Sequence, residues 1–165
     1  MKNLKMVMFI FMDLKTKFFH GGKMRIALGA DHGGFELKNK IANYLKENNF
    51  EVIDFGTNST DSVNYPVFAK LVGDSVIKKE SDFGILICGT GIGISIAANK
   101  IKGIRCALST NTTMARLSRE HNNANILALG SRIIGDLLAL EMVETFLSTS
   151  FQDERHLVRI NMLED

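Results

Sequence analysis

The chain has 165 residues, 45% hydrophobic and 23% charged, which suits one globular domain with a core of its own. A formal net charge of +2, with no run of like charges, gives no reason to expect nucleic acid or an anionic membrane as partner. The two cysteines, Cys88 and Cys106, each lie in an apolar stretch and form neither a disulfide framework nor a CxxC zinc pair, so a reducing cytoplasm is the expected setting.

Residues 1–23 stand apart. Lys2 and Lys5 precede an apolar run over 6–12, followed by Lys15, Lys17 and Gly21-Gly22. A membrane helix needs about 20 apolar residues, and no small-residue cleavage site marks a secretory signal. The segment reads as an N-terminal extension outside the fold, with the domain occupying 24–165.

From Met24 onward, short β-rich runs alternate with amphipathic stretches. The first strand is predicted over 24–28, and a helix over about 34–48. In that helix Phe35, Leu37, Ile41 and Leu45 recur at near-helical spacing, with Lys38, Lys40, Lys46 and Glu47 expected on the solvent side. A strand over 52–55 and a polar loop over 56–64 follow. Pro66, the chain's single proline, suits the first turn of a helix running to about residue 79. The run 83–88 is apolar throughout, as in a strand buried on both faces. A helix over 92–100 is expected to end in a Gly103 cap. Strands over 104–108 and 125–129, helices over 112–120 and 135–147, and a last amphipathic helix from 153 to about 163 complete the pattern. This alternation predicts an α/β fold: a single-domain, doubly wound (Rossmann-like) five-stranded parallel sheet with helices on both faces.

Ligands of such sheets bind beyond the carboxyl ends of the strands. Three segments fall there: Asp31-His32-Gly33-Gly34 after the first strand, Cys88-Gly89-Thr90-Gly91-Ile92-Gly93 after the third, and Arg132 after the fifth. The spaced glycines let the backbone turn sharply and present N–H groups to an anion or a developing oxyanion. They match neither the dinucleotide fingerprint nor a nucleotide-triphosphate loop. Cys88 at the mouth of that turn is placed to act as base or nucleophile, whereas Cys106 reads as a small core hydrophobe. Asp31 has the bland alternative of capping the next helix, and His121 that of a histidine complementing a helix dipole. Arg155 and Arg159, at i and i+4, form either a solvated face or a bidentate phosphate clamp. A metal held by Asp31, His32, Cys88 and His121 finds no support in ligand spacing.

Taken together, these segments resemble the type B ribose-5-phosphate isomerases, the family shared with the galactose-6-phosphate isomerase subunits. The matching stretches are 29–35, Asn64-Tyr65-Pro66, 87–100, 118–122, 129–132 and Arg155-His156, in order across nearly the whole domain. The resemblance implies interconversion of ribose 5-phosphate and ribulose 5-phosphate without a cofactor or metal, a step of the non-oxidative pentose phosphate pathway. It implies a homodimer, with further pairing to a tetramer left open, in which two subunits share each active site. On that pattern Cys88 takes the proton from C2 of the open-chain sugar. Thr90 and the amides of Gly89, Gly91, Ile92 and Gly93 hold the enediolate oxygen. Asp31 and His121, the latter from the partner chain, open the furanose ring. His32, Arg132, Arg155 and Arg159 hold the phosphate, and Tyr65 and Asn122 line the sugar. Some relatives carry their base on a glutamate elsewhere, and this chain follows the cysteine pattern.

The alternatives from other classes are a hexose-6-phosphate isomerase, acting on allose or galactose 6-phosphate, and a non-catalytic module binding a phosphorylated ligand through the glycine turn.

Overall fold

The computed structural model describes residues 22–152 and 154–164, so nearly all of the expected extension lies outside the described residues. Five parallel strands lie in the order β2-β1-β3-β5-β4: β1 (Arg25–Ala30), β2 (Glu51–Asp54), β3 (Phe83–Cys88), β4 (Cys106–Leu108) and β5 (Ile126–Gly130). Six helices are described: α1 (Phe35–Glu47), α2 (Tyr65–Ile77), α3 (Ile92–Ala98), α4 (Thr112–Asn122), α5 (Asp136–Ser148) and α6 (Glu154–Asn161).

The strands alternate their side chains between two cores. Ile26, Leu28, Ile85, Ile87, Leu127 and Leu129 face α1, α4 and α5, where Ile41, Ala115, Met142 and Phe146 meet them. Ala27, Leu86, Cys88, Ile126 and Ala128 face α2 and α3, against Val72 and Ile94. Both faces are therefore dry, which is why β3 and β5 read as unbroken apolar runs rather than alternating ones. Gly84 and Gly29 sit under α2, where an added Cβ would come within 2.6 and 2.8 Å of Val72.

Two expectations are corrected. The third helix ends at Ala98, its cap Asn99 donating from Nδ2 to Ser95 O at 3.0 Å and to Cys106 O at 2.9 Å. Gly103 instead takes φ +82° in the turn that follows, and the fourth strand shortens to Cys106–Leu108. Asn99 Oδ1 also accepts from Cys106 N (2.8 Å), and on the side facing β5 Arg105 N donates to the Asn125 side-chain Oδ1 (2.9 Å) just before β4 begins.

Lys38, expected on the solvent side of α1, is only 1% exposed. Its stem passes under Gly56, and its ammonium meets Asp54 Oδ2 at 2.6 Å and lies 5.6 Å from the Phe35 ring centroid. A buried ammonium needs a partner, and β2 supplies it. Removing that partner with Asp54→Ala should cost roughly 2–3 kcal/mol of unfolding free energy, measured by urea denaturation. This is below the cost of breaking a fully buried pair, because the carboxylate is 35% exposed.

Candidate active site

β1 leads outward to β2, and β3 returns on the other side of β1, so the carboxyl ends of β1 and β3 flank the point where the winding reverses. Ala30 pairs with Ile87, which brings Asp31 and Cys88 side by side at the mouth of the crevice. Asp31 is 7% exposed. Its Oδ1 accepts from the amides of Gly33 (2.9 Å) and Gly34 (3.1 Å), an Asx turn ahead of α1 and not the helix cap foreseen as the bland alternative, since the N-cap is Gly34 and no side-chain cap bond is made there. Among the described residues no hydrogen bond engages Oδ2. Gly34 has no substitute, because a Cβ would lie 2.5 Å from Ile87 O.

Cys88 is 5% exposed, and its Sγ accepts from the Gly91 amide at 3.1 Å. That geometry requires Gly91 at φ +78°, where a Cβ would meet Leu108 Cδ1 at 2.5 Å and the Leu129 carbonyl carbon at 2.9 Å. Thr90 Oγ1 accepts from Ile92 N at 3.3 Å. The turn's own side chains thus engage two of the amides expected to face an oxyanion, those of Gly91 and Ile92. Tyr65 lays its ring on Gly93, where a Cβ would meet Cζ at 2.7 Å and Oη at 2.9 Å. Arg132 passes over Gly89, its Cδ and Nε 3.5 Å from where a Cβ would be, and its own amide donates to Gly89 O (3.0 Å). His32 Nδ1 accepts from Val63 N at 3.2 Å.

Ser131 was given no role from sequence, yet it joins the two turns. Its hydroxyl reaches Gly33 O (2.5 Å) and Cys88 O (3.2 Å), and its amide donates to Cys88 O (3.0 Å). Only its place beside Arg132 in the matching stretch 129–132 hinted at this.

The remaining predicted residues gather at the other end of the sheet. Arg119 of α4 stacks on Phe83, the first residue of β3, at 4.6 Å, and Arg105 Nε, just before β4, donates to Asn122 O at 3.0 Å. His121 and Asn122 therefore lie near the amino ends of the strands. Cys88 lies at the far end of β3, about 16 Å away along the strand at the usual rise of about 3.3 Å per residue. There His121 stacks on buried His156, ring centroids 4.6 Å apart, and Arg155 Nε donates to His156 Nε2 at 3.3 Å. Arg155 and Arg159 are both exposed on α6. Asn122 borders a groove of about 650 Å³ that Lys100, Lys102, Arg105 and Glu164 also line. One chain thus carries two partial constellations at opposite ends of its sheet.

Cys106 packs against the α2–α3 core but is only partly buried and also lines the groove beside Asn122; desolvation pushes its thiol up to about 12. Among the described residues no group of three or more His, Cys, Asp or Glu side chains could hold a metal ion, and no helix is long and apolar enough to cross a membrane.

A family model described as Ribose/Galactose Isomerase matches residues 26–163. The chain belongs to the ribose/galactose isomerase family. Among its relatives, the ribose-5-phosphate isomerase B of Escherichia coli is 47% identical over 139 residues, 84% of this chain and 93% of that protein. The ribose-5-P isomerase B of Listeria innocua is 41% identical over 142 residues, 86% of this chain and 96% of its own. The solved ribose-5-phosphate isomerase B of Clostridium thermocellum superposes with a TM-score of 0.85 at 55% identity, covering 86% of this chain and 95% of that one. A Thermotoga maritima ribose 5-phosphate isomerase gives 0.85 at 53%, covering 87% and 99%. The doubly wound sheet expected from sequence is thus the fold of this isomerase family.

Proposed function

We propose that this chain is a ribose-5-phosphate isomerase, interconverting ribose 5-phosphate and ribulose 5-phosphate through an enediolate with Cys88 as base. The observation that carries the reading is Cys88 Sγ at the carboxyl end of β3, held by the Gly91 amide and set beside the Asp31-His32 turn. Relatives named for this activity, 41–47% identical along most of their length, support it.

The chemistry follows from the groups present. The substrate is mostly closed as a furanose, so a proton must first leave the anomeric hydroxyl while another reaches the ring oxygen. Asp31 through Oδ2 and His121 are the pair for this. In the open chain Cys88 Sγ takes the proton from C2, the electrons move into C1–C2 and those of the C1 carbonyl move onto O1, giving the enediolate, which a proton delivered to O1 converts to the enediol. Returning a proton to C1 and releasing the one on O2 yields the ketose. The Thr90 hydroxyl and the amides of Gly89 and Gly93, the two expected donors that the turn's own side chains do not engage, stabilise the developing oxygen charge. Holding the phosphate through His32, Arg132, Arg155 and Arg159 supplies binding energy remote from the reacting carbons. Tyr65 and Asn122 line the sugar.

Because His121, Asn122, Arg155 and Arg159 lie at the end of the sheet away from Cys88, the complete site takes its second half from another copy. The working unit is then a homodimer with two shared sites, in the cytoplasm, built by residues 24–165.

The test is ribulose 5-phosphate formation from ribose 5-phosphate, with EDTA present throughout. Turnover undiminished by the chelator is expected, with six-carbon aldose 6-phosphates slower. A folded protein that leaves ribose 5-phosphate untouched removes the pentose reading, and turnover of allose or galactose 6-phosphate in its place would assign the hexose reaction.

A further inference from the structure

His32 is the one predicted phosphate-holding side chain whose ring is engaged by a distant loop. The loop over residues 55–64 is tied down at its start. Phe55 N donates to Leu28 O (2.8 Å), Thr57 N to Ala30 O (3.0 Å) and Gly56 N to Asp54 Oδ1 (2.9 Å). The other oxygen of Asp54 holds the buried Lys38 ammonium, and Gly56 sits so close that a Cβ would lie 2.5 Å from Lys38 Cδ and 2.9 Å from Ala30 N. At its far end the loop runs into Tyr65, whose ring rests on Gly93. Between these anchors Val63 N points at His32 Nδ1 from 3.2 Å.

A backbone N–H can only donate, so the ring nitrogen that receives it carries no proton. In neutral imidazole the proton then resides on the other nitrogen. We propose that the main-chain N–H of Val63 is a positioning group for substrate binding, which locks His32 in the Nε2–H tautomer so that it meets the phosphate as a donor. The inference rests on the reading of His32 as a phosphate-holding group. A phosphate monoester offers mainly acceptors at neutral pH, so the opposite tautomer would present it with a lone pair.

The direct test is NMR on the 15N-labelled full chain, well above the ordinary histidine pKa of about 6.5. His32 is assigned by the signal lost in His32→Gln. The expected spectrum shows unprotonated Nδ1, protonated Nε2, and a through-hydrogen-bond coupling between Val63 N and His32 Nδ1. Val63→Pro removes the donor and is expected to give mixed tautomers. It should also raise KM for ribose 5-phosphate roughly 3–10-fold with kcat within about twofold, the loss of one uniform binding hydrogen bond. Val63→Ala, the conservative counterpart, keeps the N–H and restores the parent's tautomer and KM. Protonated Nδ1 or no coupling in the parent overturns the proposal, as does a folded Val63→Pro enzyme in which tautomer or KM stays at the parent's value. A parent that does not turn over ribose 5-phosphate removes the pentose reading instead, and the coupling still decides the tautomer.

Discussion

The Cys88→Ala protein is expected to fold as the parent does and to turn over ribose 5-phosphate roughly 10²–10⁴-fold more slowly, the contribution of a positioned general base. The two halves of that result are separable because of where the residue sits. Cys88 is the last residue of β3, paired with Gly130, and alanine keeps its Cβ against the α2–α3 face. Only the sulfur goes, together with the contact it accepts from Gly91 N. Losing one heavy atom at a buried site costs about 1 kcal/mol, which in a chain of this size lowers the melting temperature by about 2–4 °C. Circular dichroism gives the melt, and a direct assay of ribulose 5-phosphate gives kcat. Turnover within a few-fold of the parent would remove Cys88 as the base and direct the search to Asp31.

The second large effect appears on mixing two inactive proteins. Cys88→Ala and His121→Gln are each expected to be nearly silent as homodimers. After co-refolding in equal amounts, about one quarter of the parent activity should return. Half of the dimers are then mixed, and in each of these one of the two sites joins an intact Cys88 from one subunit to an intact His121 from the other. The basis is the length of the sheet: β3 separates its first residue, Phe83, from Cys88, and α4 delivers His121 to the Phe83 end. Within one chain the two groups cannot share a pentose. A mixture that stays silent, with mixed dimers verified by differential tagging, would mean that His121 and Cys88 do not serve a common site.

β3 was legible to its exact ends, since a run of six residues buried on both faces leaves no competing period, and Gly89 to Gly93 then force the turn. Gly103 misled, because a glycine after a helical stretch reads as a cap whether or not the helix reaches it. Here Asn99 ends the helix first by bonding to Cys106. Lys38 misled for a related reason. Helical periodicity assigns a lysine to the wet side, and the carboxylate that draws it inward stands 16 residues later, on the neighbouring strand.

The fold class, the strand–turn–helix around Cys88 and the family were legible in the residues, because each depends on neighbours in the chain: alternation, helical spacing, and glycines where a Cβ has no room. The tertiary structure alone decided which predicted site residues share a crevice. Asp31, His32, Cys88, Tyr65 and Arg132 meet at one end, and His121, Asn122, Arg155 and Arg159 gather at the other. It also decided that Ser131 reaches Gly33 across 98 residues and Cys88 across 43, and that Val63 addresses His32 across 31. Those contacts depend on strand order and register, which arise from burial on two faces of one sheet and leave no local trace in the residues that make them.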